Sequence, residues 1–392
     1  MSRGHNRRPY GRYFRPSLKD YEKATFNGFT KRLRPMPNNN LHPEFVAYYL
    51  RSPEFRTEML AFSTMSTRAS LNNEMIGHLK ISFPSLTDQK YIAWVLKTLD
   101  NKIELNHQIN TTLESMAQAL FKSWFVDFDP AIDNALAAGN PIPDELAARA
   151  ERRAKAAQQP SPEHPHTLPA EVRQQFPDRF VFTEAMGWVP EGWEAKSLVK
   201  IAEYQNGLAL QKFRPENEDD YLPVVKIAQL KKGFADGNEK ASPNIRPECI
   251  VDDGDILFSW SGSLVVDIWC GGKGALNQHL FKVTSKNYPK WFYFQCTSLH
   301  LEEFQRIAAG KAVTMGHIKR EHLNQAYSAV PPKELLRTLD MTFVPLLDRV
   351  IATRIEAKNL ASLRDTLLPK LLSGQLRIPD AQAAVDEALV AI

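Results

Sequence analysis

From Ile92 to Trp124, residues recur at alternating steps of four and three, on Ile92, Leu96, Leu99, Ile103, Asn106, Asn110, Leu113, Ala117, Leu120 and Trp124. A mostly apolar seam sustained over more than four heptads demands a long helix that packs lengthwise against another helix. The same spacing returns 247 positions later, on Leu339, Phe343, Leu346, Val350, Thr353, Ala357, Leu360, Arg364, Leu367 and Leu371. Both copies turn polar or small in the middle. Helices matched in length and polar break are natural partners, so the chain reads as two similar halves, each ending in a seam helix. The plainer alternative packs each helix into its own domain. Asn106 and Asn110 either select the register of the pair at a cost in stability or face solvent where the seam is imperfect.

The repeat extends beyond the helices. At the same offset Pro84 falls on Pro331, Ile76 on Leu323, Glu74 on Glu321 and Thr67 on Thr314; with small gaps, PEFVAYYL from Pro43 falls on PKWFYFQC from Pro289, and Asn27 on Asn277. The first unit, residues 1–85, should hold two short helices separated near Pro53 and a closing strand, LKISFP, from Leu79 to Pro84. Ser85, Thr87 or Asp88 can cap the seam helix, expected over residues 86–126, and Pro130 blocks its continuation. Residues 127–186 are rich in Ala, Pro, Glu and Arg and read as a polar connector with one short helix around Glu145 to Gln158. A second globular unit, 187–333, carries strand patterns in YLPVVKI, GDILFSWSG and HLFKVT, and then returns to helical spacing. The second seam helix, 334–374, should kink or restart at Pro345 and be disturbed at Pro369, leaving 375–392 as a tail. The fold class is α+β. About seventy residues, Gly187 to Phe258, have no counterpart in the first half, so the first unit is expected to lack its N-terminal part.

A chain of 392 residues accommodates two or three domains. Its net charge of +4 is unevenly spread, since residues 1–40 hold ten Lys or Arg against two acids. Such an arm is either solvated or a phosphate contact. Three scattered cysteines make neither a disulfide framework nor a four-ligand metal site, and no apolar stretch suits a membrane span or signal peptide. The expected setting is cytoplasmic. Phosphate loops, GxGxxG, HExxH and GxSxG are all absent, and Val330-Pro331-Pro332-Lys333 lacks the flanking residues with which amino-methyltransferases grip a flipped base. His164 and His166 sit in the connector. Asp178 with Glu194 and Lys196 has the residue types of a metal-dependent phosphodiesterase, but the pattern is short and straddles two regions.

The run LDNKIELNHQINTTLESMAQALFKSWFVDFDP (Leu99 to Pro130), the restart GWVPEGW (Gly187 to Trp193) and the closing LASLRDTLLPKLLSGQLRI (Leu360 to Ile378) resemble the specificity subunits of type I restriction-modification systems. The resemblance implies two target recognition domains, the first incomplete here, joined by two long antiparallel coiled-coil spacer helices. It also implies a noncatalytic chain that reads a two-part double-stranded DNA target and docks modification (methyltransferase) subunits, with a restriction/translocase subunit joining the complex. The methyl donor, ATP and magnesium would then belong to those partners, and no cofactor or metal to this chain. A truncated remnant that binds partners but no longer reads a two-part target is the alternative.

Within residues 187–333, the DNA-contact candidates are polar and basic residues of predicted loops. They are Gln205, Asn206, Gln211 and Lys212; Gln229, Lys231 and Lys232; Ser259, Ser261, Asn277, Gln278 and His279; and Lys311, Thr314, His317, Lys319 and Arg320. Amides and hydroxyls suit base edges, whereas lysines and arginines suit phosphates and guanine.

Overall fold

The computed structural model describes Leu33, Met36 and residues 39–61, 73–78, 80–158, 168–310 and 316–390. The basic arm, Thr67, Leu79, His164, His166, Lys311 and Thr314 lie outside the described residues. Helices α1 (Pro43–Tyr49), α2 (Pro53–Ala61), α3 (Asn73–His78) and the long α4 (Leu86–Phe121) come first. They are followed by α5 (Asp129–Ala138), α6 (Asp144–Gln158) and α7 (Ala170–Arg173). Next are β1 (Phe180–Thr183), β2 (Gly187–Pro190), β3 (Glu194–Ser197), α8 (Leu198–Ile201), β4 (Glu203–Asn206), β5 (Leu222–Val225) and α9 (Ile227–Lys232). The sheets are completed by β6 (Lys240–Ala241), β7 (Ile250–Val251), β8 (Ile256–Ser259), β9 (Val266–Ile268), β10 (Gly274–Leu276) and β11 (Leu280–Thr284). The chain then forms α10 (Lys290–Leu299), α11 (Leu301–Ala309), α12 (Arg320–Gln325), β12 (Tyr327–Val330), α13 (Lys333–Leu372) and α14 (Ile378–Val390). No described helix is long and apolar enough to cross a membrane.

The chain divides into two compact units, residues 1–106 with 356–392, and residues 107–355. In the first, Ile92, Leu96 and Leu99 of α4 share a core with Leu360, Leu367 and Leu371 of α13, Phe45 and Tyr48 of α1, and Ala381 and Val385 of α14. Asp100 accepts from Arg364 at 2.7 Å and Lys102 pairs with Glu356 at 3.1 Å, so α4 ascends as α13 descends. Ser85 caps α4: its hydroxyl accepts from the Asp88 N–H at 3.2 Å and donates to the Asp88 carboxylate at 2.7 Å. The expected strand near Pro84 is absent among the described residues; residues 80–85 form a connection, with the Lys80 carbonyl accepting from the Tyr49 hydroxyl at 3.3 Å.

In the second unit the same two helices also run antiparallel, with Trp124 edge-on to Phe343 at 5.5 Å. The Thr353 hydroxyl donates to Asn110 Oδ1. Asn106 and Asn110 are 0% and 5% exposed, which removes the solvent-facing alternative for both. From Leu339 to Val350 of α13 the buried positions are Leu339, Phe343, Leu347 and Val350, with Leu346 only half-buried. Leu347 therefore replaces Leu346 in the seam: two steps of four followed by three keep phase with a straight helix of 3.6 residues per turn. Pro345 neither ends nor restarts α13. It lies on the exposed side, where its missing N–H costs no buried bond.

The described residues of 127–186 hold more order than their composition suggests. The end of α4 widens into a π-turn at Lys122–Val126, closed by the Asp127 N–H donating to the Lys122 carbonyl at 2.8 Å. Phe128 then takes a left-handed conformation (φ 55°), and Pro130 stands in the first turn of a new helix, α5, where proline is tolerated. A polar ladder joins α5 to α6. Arg149 clasps Asp129 with bonds of 2.7 and 2.6 Å, and one turn on Arg153 clasps Asp133, its Nε donating at 2.9 Å.

Candidate nucleic-acid interface

The candidate surface lies where two four-stranded sheets of the second unit are joined. One runs β4-β11-β8-β9 and is antiparallel; the other runs β6-β5-β10-β7, with β5 and β10 parallel. Asn277, Gln278 and His279 link β10 to β11 and so cross from one sheet to the other. The backbone after β4 passes directly beneath this link: Leu208 N–H donates to the Leu276 carbonyl at 2.9 Å, and Gln278 N–H donates to the Leu208 carbonyl at 2.9 Å. Only glycine fits at position 207, since a Cβ would lie 2.3 Å from the carbonyl oxygens of Leu276 and Asn277.

Trp260 is the centre of the resulting cluster. Its indole N–H donates to the Gln278 carbonyl at 3.1 Å, and its ring lies 5.8 Å from His279 and 6.4 Å from His317. Ser261 Oγ lies 2.9 Å from His279 Nδ1, and the Gly262 N–H donates to the Gly316 carbonyl at 2.7 Å. The Lys231 ammonium donates to Ser263 Oγ, which ties α9 to the same hairpin tip. Candidates dispersed in sequence thus meet: Gln278, His279 and His317 are half-buried at the surface, and Lys231 is exposed beside them.

Other candidates have different surroundings. Ser259, Ser261 and Asn277 are buried; Ser259 donates to the Ser263 carbonyl at 2.7 Å and Asn277 Oδ1 accepts from the His279 N–H at 3.2 Å, so these side chains hold the loops. Arg320 donates to the Tyr204 carbonyl at 3.0 Å, the Lys319 N–H donates to His322 Nδ1 at 2.9 Å, and Lys232 pairs with Asp236 at 3.7 Å. Asn206 is exposed and Gln205 half-buried, with the Gln205 amide donating to the Asn206 carbonyl at 2.9 Å. Gln211 and Lys212 are exposed next to the buried Leu210, while the Gln229 Oε1 atom is enclosed. Trp260, exposed Phe213 and exposed Phe234 do not stand out from sequence. An aromatic lodged in a polar stretch, as in SWSGS, was the available signal.

Burial pushes the Cys270 thiol up to about 11 and the Cys296 thiol up to about 12, far from the thiolate that a nucleophile or metal ligand needs. Among the described residues no three His, Cys, Asp or Glu side chains are grouped to hold a metal. Lys196 of the nuclease-like pattern donates to the Tyr288 hydroxyl at 3.1 Å and pairs with Glu194 at 3.0 Å.

The loops thus bring amide, imidazole and ammonium groups together around Trp260. The chain belongs to the family defined by the type I restriction modification DNA specificity domain, whose model matches residues 17–115 and 190–363. It is similar to the type I restriction enzyme HindI specificity subunit of Haemophilus influenzae, 27% identical over 371 residues that cover 88% of this chain and 80% of that one. It is also similar to the MjaIX specificity subunit of Methanocaldococcus jannaschii, 24% identical over 355 residues covering 88% and 72%. A solved S subunit of a type I restriction-modification system from M. genitalium aligns with a TM-score of 0.44 and 13% identity, covering 85% of this chain and 73% of that one.

Proposed function

We propose that the chain is the noncatalytic recognition and scaffold subunit of a type I restriction-modification complex. It reads a two-part double-stranded DNA target and docks modification subunits that bring the methyl donor, with a restriction/translocase subunit supplying ATP-dependent steps. The convergence of separate loops on Trp260 supports this reading, because base-edge recognition needs polar groups fixed by a rigid framework. Lys212 and Lys231 then meet phosphates, and Gln278, His279 and His317 face base edges. With Asn110 buried against Thr353, the polar break specifies helix register.

The purified chain alone should methylate nothing, and sequence-directed methylation should appear when a modification subunit and methyl donor are added. Lys212→Gln and Lys231→Gln should each weaken target binding and reduce the slope of log affinity against log salt by about 0.9, measured by fluorescence anisotropy on a labelled duplex. Unchanged slopes in both variants would remove these lysines from the interface.

A further inference from the structure

The domain in residues 187–333 meets the helix pair through two kinds of contact. One is apolar: Trp291 stacks on Phe343 with ring centroids 4.2 Å apart, in a core shared with Phe125 and Leu339. The other is polar and directional. Arg354 Nη1 donates to Asp267 Oδ1 at 2.7 Å and to the Ile268 carbonyl at 2.9 Å, while Nη2 donates to Glu114 Oε1 at 2.7 Å. One guanidinium therefore joins α4, α13 and β9.

Asp267 lies at the base of the β8–β9 hairpin, opposite Leu257, and the tip of that hairpin carries Trp260, Ser261 and Ser263. From Phe343 to Arg354 the helix advances by about 16 Å, so the two attachments form a lever. Apolar contacts, including that of Ile351 beside Gly254, hold the domain close, and the Trp291 indole N–H, donating to Asp340 Oδ1 at 2.6 Å, gives that end a single pivot. A planar guanidinium fork between two carboxylates fixes direction.

We infer that Arg354 is a positioning residue that sets the angle of the recognition domain on the helix pair and so limits the number of base pairs allowed between the two halves of the target. This rests on the two-part reading proposed above. The Asp267 and Glu114 side chains are 33% and 34% exposed, so water can solvate both when the guanidinium is removed.

The test is methylome sequencing of cells carrying the full chain with its modification subunit. The wild type is expected to modify one spacing. Arg354→Met should keep both half-site sequences but lose roughly tenfold of its discrimination against spacers one base pair longer or shorter. Asp267→Asn, which removes one arm, should broaden spacing less, and Arg354→Lys should be intermediate because an ammonium lacks the fork. Wild-type spacing in both Arg354→Met and Asp267→Asn overturns the inference, as does a change in half-site bases at constant spacing. Should Arg354→Met fail to accumulate, the Asp267→Asn profile alone decides. A wild-type complex with no two-part motif overturns the underlying reading and the inference with it.

Discussion

Phe125→Ala is expected to lower the free energy of unfolding by about 3–5 kcal/mol, read as a lower urea midpoint for loss of the aromatic circular dichroism signal. Phe125 is 2% exposed at the π-turn that ends α4. Its ring lies 4.7 Å from Phe121, 5.6 Å from Trp193, 5.8 Å from Trp291 and 5.5 Å from Phe292. Truncation removes its contacts to rings from three parts of the chain, which cannot collapse together into the space. Phe182→Ala is the control: that ring is 63% exposed on the β1–β2 hairpin, and its loss should change stability by no more than about 0.5 kcal/mol. Equal effects from the two substitutions would mean that the Phe125 ring does not hold the end of α4 in this aromatic core.

Arg149→Met should cost about 2–4 kcal/mol, below the full range for a buried pair because the Arg149 side chain is 32% exposed. The asymmetry lies with Asp129, whose side chain is 5% exposed and would be left with Ser123 Oγ, at 2.6 Å. Burial alone would push the Asp129 carboxyl up, but the bonds from Arg149 and Ser123 and the charges of Arg149 and Arg153 prevail and hold it below 3.8. Folding therefore gains stability from this group above the unfolded value and loses it as pH falls through the lowered folded value. In that acid window the unfolded chain binds more protons, so stability rises with pH. Urea midpoints between pH 2 and 5 should show the slope in the wild type and a shallower one in Asp129→Asn; equal slopes would mean that Asp129 does not contribute.

The helix pair was the most legible feature, because a seam depends on residues only three and four apart. Its polar centre was visible too, although burial of Asn106 and Asn110 depends on the opposing helix and could not be read from one strand of sequence. The α5–α6 hairpin was half hidden. Its apolar side is mostly alanine, and its cohesion comes from Asp129 and Asp133 facing Arg149 and Arg153, a match between residues 20 apart that composition records only as polarity. Predicted loop residues fell into two physical groups for a similar reason. Whether a serine stays at the surface or supports a loop depends on pairings such as Ser261 with His317, made between residues distant in sequence. Hence Lys231 and His279 emerged at the surface, whereas Ser259 and Asn277 became internal struts.

The central claim, that this chain directs partner chemistry to a two-part DNA target, is tested most directly by sequencing the methylome of cells that carry the chain and its modification subunit. The account predicts one methylated motif with two defined halves separated by a fixed run of unspecified base pairs. An unmodified genome, or a motif with a single defined half or a palindrome of it, would contradict it.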